Sequence, residues 1–130
     1  MNKLLILDSS DDQSSALKYF LEKKQYAVRT LNNAFNLFSE IYFYKPDLLL
    51  LDAFFKGVDG RELCKELRSR PETKGLGILL LYASDESIID YKSYPADDYI
   101  AKPFNLNTLS DKVKSLLSWI PIRKKALGGL

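Results

Sequence analysis

Asp8, Asp52 and Lys102 each close a largely apolar run, KLLILD at 3–8, DLLLLD at 47–52 and DDYIAK at 97–102. If those three ends meet in space, they suit one chemistry. A hard divalent cation such as Mg²⁺ takes oxygen ligands from one or two carboxylates and keeps positions open for phosphate oxygens. A lysine beside it neutralises charge on a further phosphoryl oxygen. An aspartate can then be the nucleophile that accepts the phosphoryl group, and Asp52 is the residue placed for that role. The plain alternative is three unrelated polar strand ends, so the elements that carry them decide.

Short apolar runs alternate with helical periodicity five times. After KLLILD, the stretch SDDQSSALKYFLEKK puts Ala16, Leu17, Phe20 and Leu21 on one helix face, with Ser10 or Asp11 available as cap. YAVRTL is the second strand, followed by a helix in NAFNLFSEIYFYK with Leu37, Phe38 and Ile41 as its stripe; Pro46 ends it. DLLLLD is the third strand and GRELCKELRSR the third helix. LGILLLYA and DDYIAK are the fourth and fifth strands, with a helix in SDESIIDYKSY between them that Pro95 closes. The last helix begins near Leu106 and carries Leu109, Val113, Leu116, Leu117 and Ile120.

Solid apolar strands that each precede a helix indicate a parallel sheet covered on both faces. Right-handed crossovers then give an α/β, flavodoxin-like doubly wound sheet of five strands in the order 2-1-3-4-5. Ligands of such sheets collect outside the carboxyl ends of the strands, which is where Asp8, Asp52, Tyr82 and Lys102 stand. Strands one and three are neighbours in this order, so Asp8 and Asp52 are expected to face each other. Residues 1–120 form one domain in this reading, and 121–130, IPIRKKALGGL from Ile120, form a C-terminal tail or linker stub with solvated basic residues.

The bulk numbers exclude several alternatives. Of 130 residues, 46% are hydrophobic and 28% charged, the composition of a globular chain. Net charge is +2, from 19 basic and 17 acidic residues, which gives no support to nucleic acid or an anionic membrane as partner. No histidine is present, which removes imidazole catalysis and the common zinc sites. The single cysteine, Cys64, permits no internal disulfide and falls on an apolar helix stripe, where it reads as core. The opening residues are too short an apolar run for a signal peptide, and the expected location is cytoplasmic.

At these residues the chain resembles the receiver domains of two-component response regulators, over about residues 3–120. Asp52 followed by GVDG is similar to the family's phosphoacceptor and its glycine-bearing loop, and DDYIAKPF at 97–104 to the stretch around its lysine. The resemblance implies a phosphoryl group taken from a histidine kinase or phosphotransfer protein onto Asp52, with Mg²⁺ held by Asp8, Asp52 and the Phe54 backbone carbonyl. It gives Lys102 the phosphate contact and Tyr99 the part of an aromatic that turns inward on phosphorylation. It also implies a cis bond at Lys102–Pro103. Such a domain assists its own phosphorylation without being a turnover enzyme.

The pattern is broken in places. Ser9 stands where the family has a second acid, and a serine hydroxyl is a poor Mg²⁺ ligand, so the metal should be held more weakly. Asp11 and Asp12 read as helix-capping residues rather than substitutes. Tyr82 stands where the family has a small hydroxyl that couples the phosphoryl group to the aromatic. Lys56 replaces a proline. These departures keep a second reading open, a degenerate receiver that binds partners without phosphorylation. A third reading is a small acid-metal phosphatase with Asp8 as nucleophile, but no second domain covers a substrate.

Output is expected through protein contacts. Tyr91, Tyr94, Tyr99 and Trp119 mark the fourth helix, fifth strand and last helix, a face that in the family carries output contacts or a homodimer. Completing the local core is the plain alternative for half of these rings. No helix pair resembles a DNA-reading motif.

Overall fold

A computed structural model describes residues 1–8, 11–55, 57–83 and 95–128. The elements are β1 (Lys3–Leu7), α1 (Asp11–Lys23), β2 (Ala27–Leu31), α2 (Leu37–Tyr44), β3 (Leu48–Asp52), β4 (Phe54–Phe55), β5 (Val58–Asp59), α3 (Gly60–Ser69), β6 (Gly77–Ala83), β7 (Asp98–Lys102) and α4 (Leu106–Ala126). Five strands form one parallel sheet in the order β2-β1-β3-β6-β7. That is the expected 2-1-3-4-5 arrangement, with β6 and β7 as its fourth and fifth strands. The helix expected over 84–94, with Tyr91 and Tyr94, lies outside the described residues, as does Ser9.

The apolar runs bury both faces, as parallel strands must when helices cover each side. Leu4, Ile6, Leu48, Leu50, Leu79, Leu81 and Ile100 point to one face and pack under α1 and α4 through Leu17, Leu21, Leu109, Val113, Leu116 and Ile120. Leu5, Leu7, Leu49, Leu51, Ile78 and Leu80 point to the other, against Leu37 and Ile41 of α2 and Cys64 and Leu67 of α3. Each fully buried leucine contributes roughly 1.5–3 kcal/mol of hydrophobic free energy. Cys64 is core, as its stripe suggests, and burial pushes its thiol up to about 12.

Two features depart from expectation. A two-residue hairpin, β4 against β5, follows Asp52, with Gly57 at φ 81° in its turn. The last helix does not stop at Ile120 but continues through Pro121 to Ala126. Proline inside a helix loses one backbone bond and crowds the preceding turn. What holds the extra turn is Arg123, expected to be solvated. Its guanidinium donates to the Asp97 carboxylate and to the Gly75 and Leu76 carbonyls, the latter at 3.0 and 3.1 Å. Arg68 of α3 reaches the same carboxylate at 3.0 Å and also donates to the Pro95 and Lys74 carbonyls. Asp97 thus ties α3 and α4 to the start of the β6–β7 pair, where it also accepts from Ile78 N at 2.8 Å.

Candidate phosphoacceptor site

The rows Leu4-Ile6, Leu48-Leu50 and Ile100 all face α1 and α4. Side chains alternate along a strand, so the next position in each row is Asp8, Asp52 and Lys102. The same periodicity that buries the core therefore delivers the three charges to one spot above it. Asp8 is 1% and Asp52 6% exposed. Lys102 Nζ lies between them, 3.5 Å from Asp8 Oδ1 and 3.3 Å from Asp52 Oδ2. Two carboxylates that close to water-free surroundings repel each other and resist desolvation, and an ammonium in mutual reach offsets both effects.

The backbone around Asp52 is fixed on both sides. Phe54 N donates to Asp52 Oδ1 at 3.3 Å, and Ala53 N donates to Leu81 O at 2.7 Å. Gly60 N donates to Ala53 O at 2.8 Å, closing the β4–β5 hairpin back onto the residue after the acid. Asp59 caps α3 by accepting from Arg61 N at 2.9 Å. The GVDG stretch therefore holds a turn, a cap and a close approach directly behind Asp52. The Lys102–Pro103 bond is cis.

Tyr82 and Tyr99 both lie on the opposite face, half-buried against the α2–α3 cluster. Leu80 pairs with Tyr99 in register, and Tyr82 is the next residue of that row, so the two rings are diagonal neighbours. Trp119 is exposed on α4, with the Arg123 guanidinium 5.0 Å from its ring centroid. It is not part of the cluster that holds Tyr99.

The donor set, two carboxylates with backbone oxygen nearby, has the chemistry of a hard-cation site. Among the described residues no three acidic, cysteine or histidine side chains gather in one group. A cation here would rest on Asp8 and Asp52 with backbone oxygen, water and phosphate completing its shell, which is how Mg²⁺ is usually bound. No described helix is long and apolar enough to cross a membrane.

The sequence reading did not find Arg68, Asp97 or Arg123 as structural partners. The only signal was an acid just before the fifth strand and a basic residue, Arg68, on the third helix; Arg123 was read as part of the tail, and pairing across that distance needs the fold.

Residues 4–114 match the family model described as response regulator receiver domain. The phosphate regulon transcriptional regulatory protein PhoB of Rhizobium meliloti is 36% identical over 117 residues, covering 88% of this chain and 52% of that protein. The chain spans about half the length of the curated relatives it matches. The receiver domain of a signal transduction histidine kinase from Syntrophus aciditrophicus is 30% identical with a TM-score of 0.82, covering 91% of each chain. TrrA of Thermotoga maritima, a response regulator protein solved in complex with Mg²⁺–BeF, is 31% identical with a TM-score of 0.78, covering 89% of this chain and 99% of that one. By its sequence, its strand order and the company of these relatives, the chain belongs to the response regulator receiver domain family.

Proposed function

We propose that the domain accepts a phosphoryl group on Asp52 from the phosphohistidine of a histidine kinase or phosphotransfer protein. The observation that carries this reading is Lys102 Nζ held within 3.5 Å of both carboxylates. In the transfer, an Asp52 carboxylate oxygen attacks phosphorus, the P–N bond to the donor imidazole breaks, and the leaving nitrogen keeps the electron pair. Lys102 can swing its ammonium from the carboxylates to an incoming phosphoryl oxygen, offsetting charge as it builds. Asp8 and Asp52, with the Phe54 carbonyl, would hold Mg²⁺, which supplies further neutralisation of the phosphoryl oxygens. The likeness to TrrA, solved with Mg²⁺–BeF, supports that assignment. Ser9 in place of a second acid weakens the metal. Signal output runs through protein contacts, in the cytoplasm where kinase and donor are found.

Acetyl phosphate with Mg²⁺ tests this directly. Mass spectrometry should record one added phosphoryl group on the parent and none on Asp52→Asn. Unchanged labelling of that variant moves the acceptor elsewhere.

A second reading is favoured by Tyr82. Its ring is packed on the same face and against the same cluster as Tyr99. In this reading Tyr82 fills the space into which Tyr99 would turn, and output no longer follows phosphate. Tyr82→Thr should then let the Tyr99 ring change environment by NMR when beryllofluoride and Mg²⁺ are added, while the parent ring stays put. A parent ring that already moves rules the block out.

A further inference from the structure

A cavity of about 690 Å³ lies at the other end of the sheet from Asp52. Pro46 on its wall precedes β3 and Leu76 precedes β6, so the cavity opens at the amino ends of the strands. The length of β3 alone puts it roughly 13 Å from the acceptor. Its volume falls within the range of small-molecule sites. The walls are apolar, with Phe38 and Ile41 from α2 facing Leu76. Three elements each contribute a cation to the rim: Lys45 after α2, Arg70 after α3, and Lys124 in the last turn of α4. Glu72 is the one acid in the lining.

These cations are not spent alike. Arg70 is paired with Glu66 at 2.6 Å and stacks on Phe38, its guanidinium 4.1 Å from the ring centroid. Lys45 Nζ stands over Tyr42 at 5.3 Å. Neither Lys45 nor Lys124 has an ion-pair partner among the described residues. The carbonyls of Lys74, Gly75 and Leu76, which would otherwise make this wall negative, are taken up by Arg68 and Arg123. Basic residues at helix ends also complement the helix dipoles. That role needs no cavity, and it leaves unexplained an apolar hollow between the charges. Apolar walls, cation–aromatic pairs at the mouth and two ammonium groups outside any ion pair among the described residues fit one chemical class.

We propose that this cavity is a second ligand site, for a small organic anion with a flat aromatic body. The aromatic body lies against Phe38, Ile41 and Leu76, and the acid group meets Lys45 and Lys124. The proposal is independent of phosphorylation at Asp52.

Titration of the ¹⁵N-labelled full chain with 2-naphthoate tests it. The expected result is saturable shifts of the Thr73, Gly75 and Leu76 amides. The Lys45→Gln, Lys124→Gln double variant, with an otherwise unchanged spectrum, should bind about fivefold or more weakly. 2-Naphthol, uncharged at neutral pH, should also bind more weakly to the parent. No saturable shift at these amides leaves the lysines only their helix-end role and overturns the proposal. Equal affinity for the neutral probe, or for the double variant, overturns the anion preference that defines it.

Discussion

A Cβ on Gly60 would come within 2.7 Å of the Ala53 carbonyl oxygen and 2.9 Å of that of Asp52. Both obstacles are backbone atoms and cannot rotate aside. Gly60→Ala should therefore push the hairpin away from Asp52 and destabilise the fold by about 1–3 kcal/mol. Urea denaturation measures the loss, and slower labelling by acetyl phosphate should accompany it. A variant as stable as the parent would mean that α3 shifts freely at its first residue.

Lys102→Met keeps the length of the side chain and removes its charge. Asp8 and Asp52 are then buried with no ammonium between them, a loss of about 3 kcal/mol after allowing for partial exposure of the lysine. Mg²⁺ should return more stability to this variant than to the parent, because a bound cation replaces the missing charge. Thermal unfolding with and without Mg²⁺ distinguishes the two; an equal response would place the metal elsewhere.

Ser9→Asp supplies the carboxylate that strand one lacks. Calorimetric titration should show Mg²⁺ bound roughly tenfold more tightly than in the parent. Equal affinities would mean that another group already fills that ligand position.

Cys64 has its thiol pushed up to about 12 by burial, against about 8.5 in an unfolded chain. Between these values the folded state keeps a proton that the unfolded state has lost, so stability falls as pH rises from about 8.5. Burial raises Tyr26 and Tyr44 as well, adding loss of the same sign above their ordinary range. Cys64→Ala should flatten the alkaline slope of the unfolding free energy. At pH 8 the native thiol should resist disulfide reagents until the protein is denatured. Rapid modification of the native state would contradict its burial.

Arg123→Ala removes donors from Asp97, Gly75 and Leu76 and should cost about 2–3 kcal/mol. By the same reasoning, we propose that the folded unit extends beyond residue 120 to include Arg123. Truncation after Ile120 should lower the urea midpoint, whereas truncation after Leu127 should leave it unchanged. Equal midpoints for both would restore the boundary at 120.

The sheet was legible because β1, β3 and β6 are built mainly of leucine and isoleucine and the apolar runs alternate with helical spacing. Asp8, Asp52 and Lys102 were legible with it, since strand order and two-residue alternation are enough to bring them together. Asp97 with Arg68 and Arg123 was not. Nothing local separates a lysine or arginine that will be solvated from one that reaches across the sheet's lower edge to a carboxylate. The turn after Ile120 was read as a tail for the same reason, since its anchorage through Arg123 is not visible locally. The β4–β5 hairpin escaped notice because two residues per strand carry no periodicity.

The leucine run of β3 has a consequence for how the strand finds its place. An ordinary half-exposed strand is locked in register by polarity, because a slip of one residue would turn its apolar side to water. Leu48 to Leu51 are buried on both sides of the sheet, so such a slip would exchange one leucine for another and leave the core nearly as content. The only residue in that strand that notices is Asp52, which would leave Lys102 and enter the α2–α3 side uncompensated. The charged cluster is thus also the strand's alignment mark, and removing Lys102 would loosen the one signal that tells four like residues which way to face.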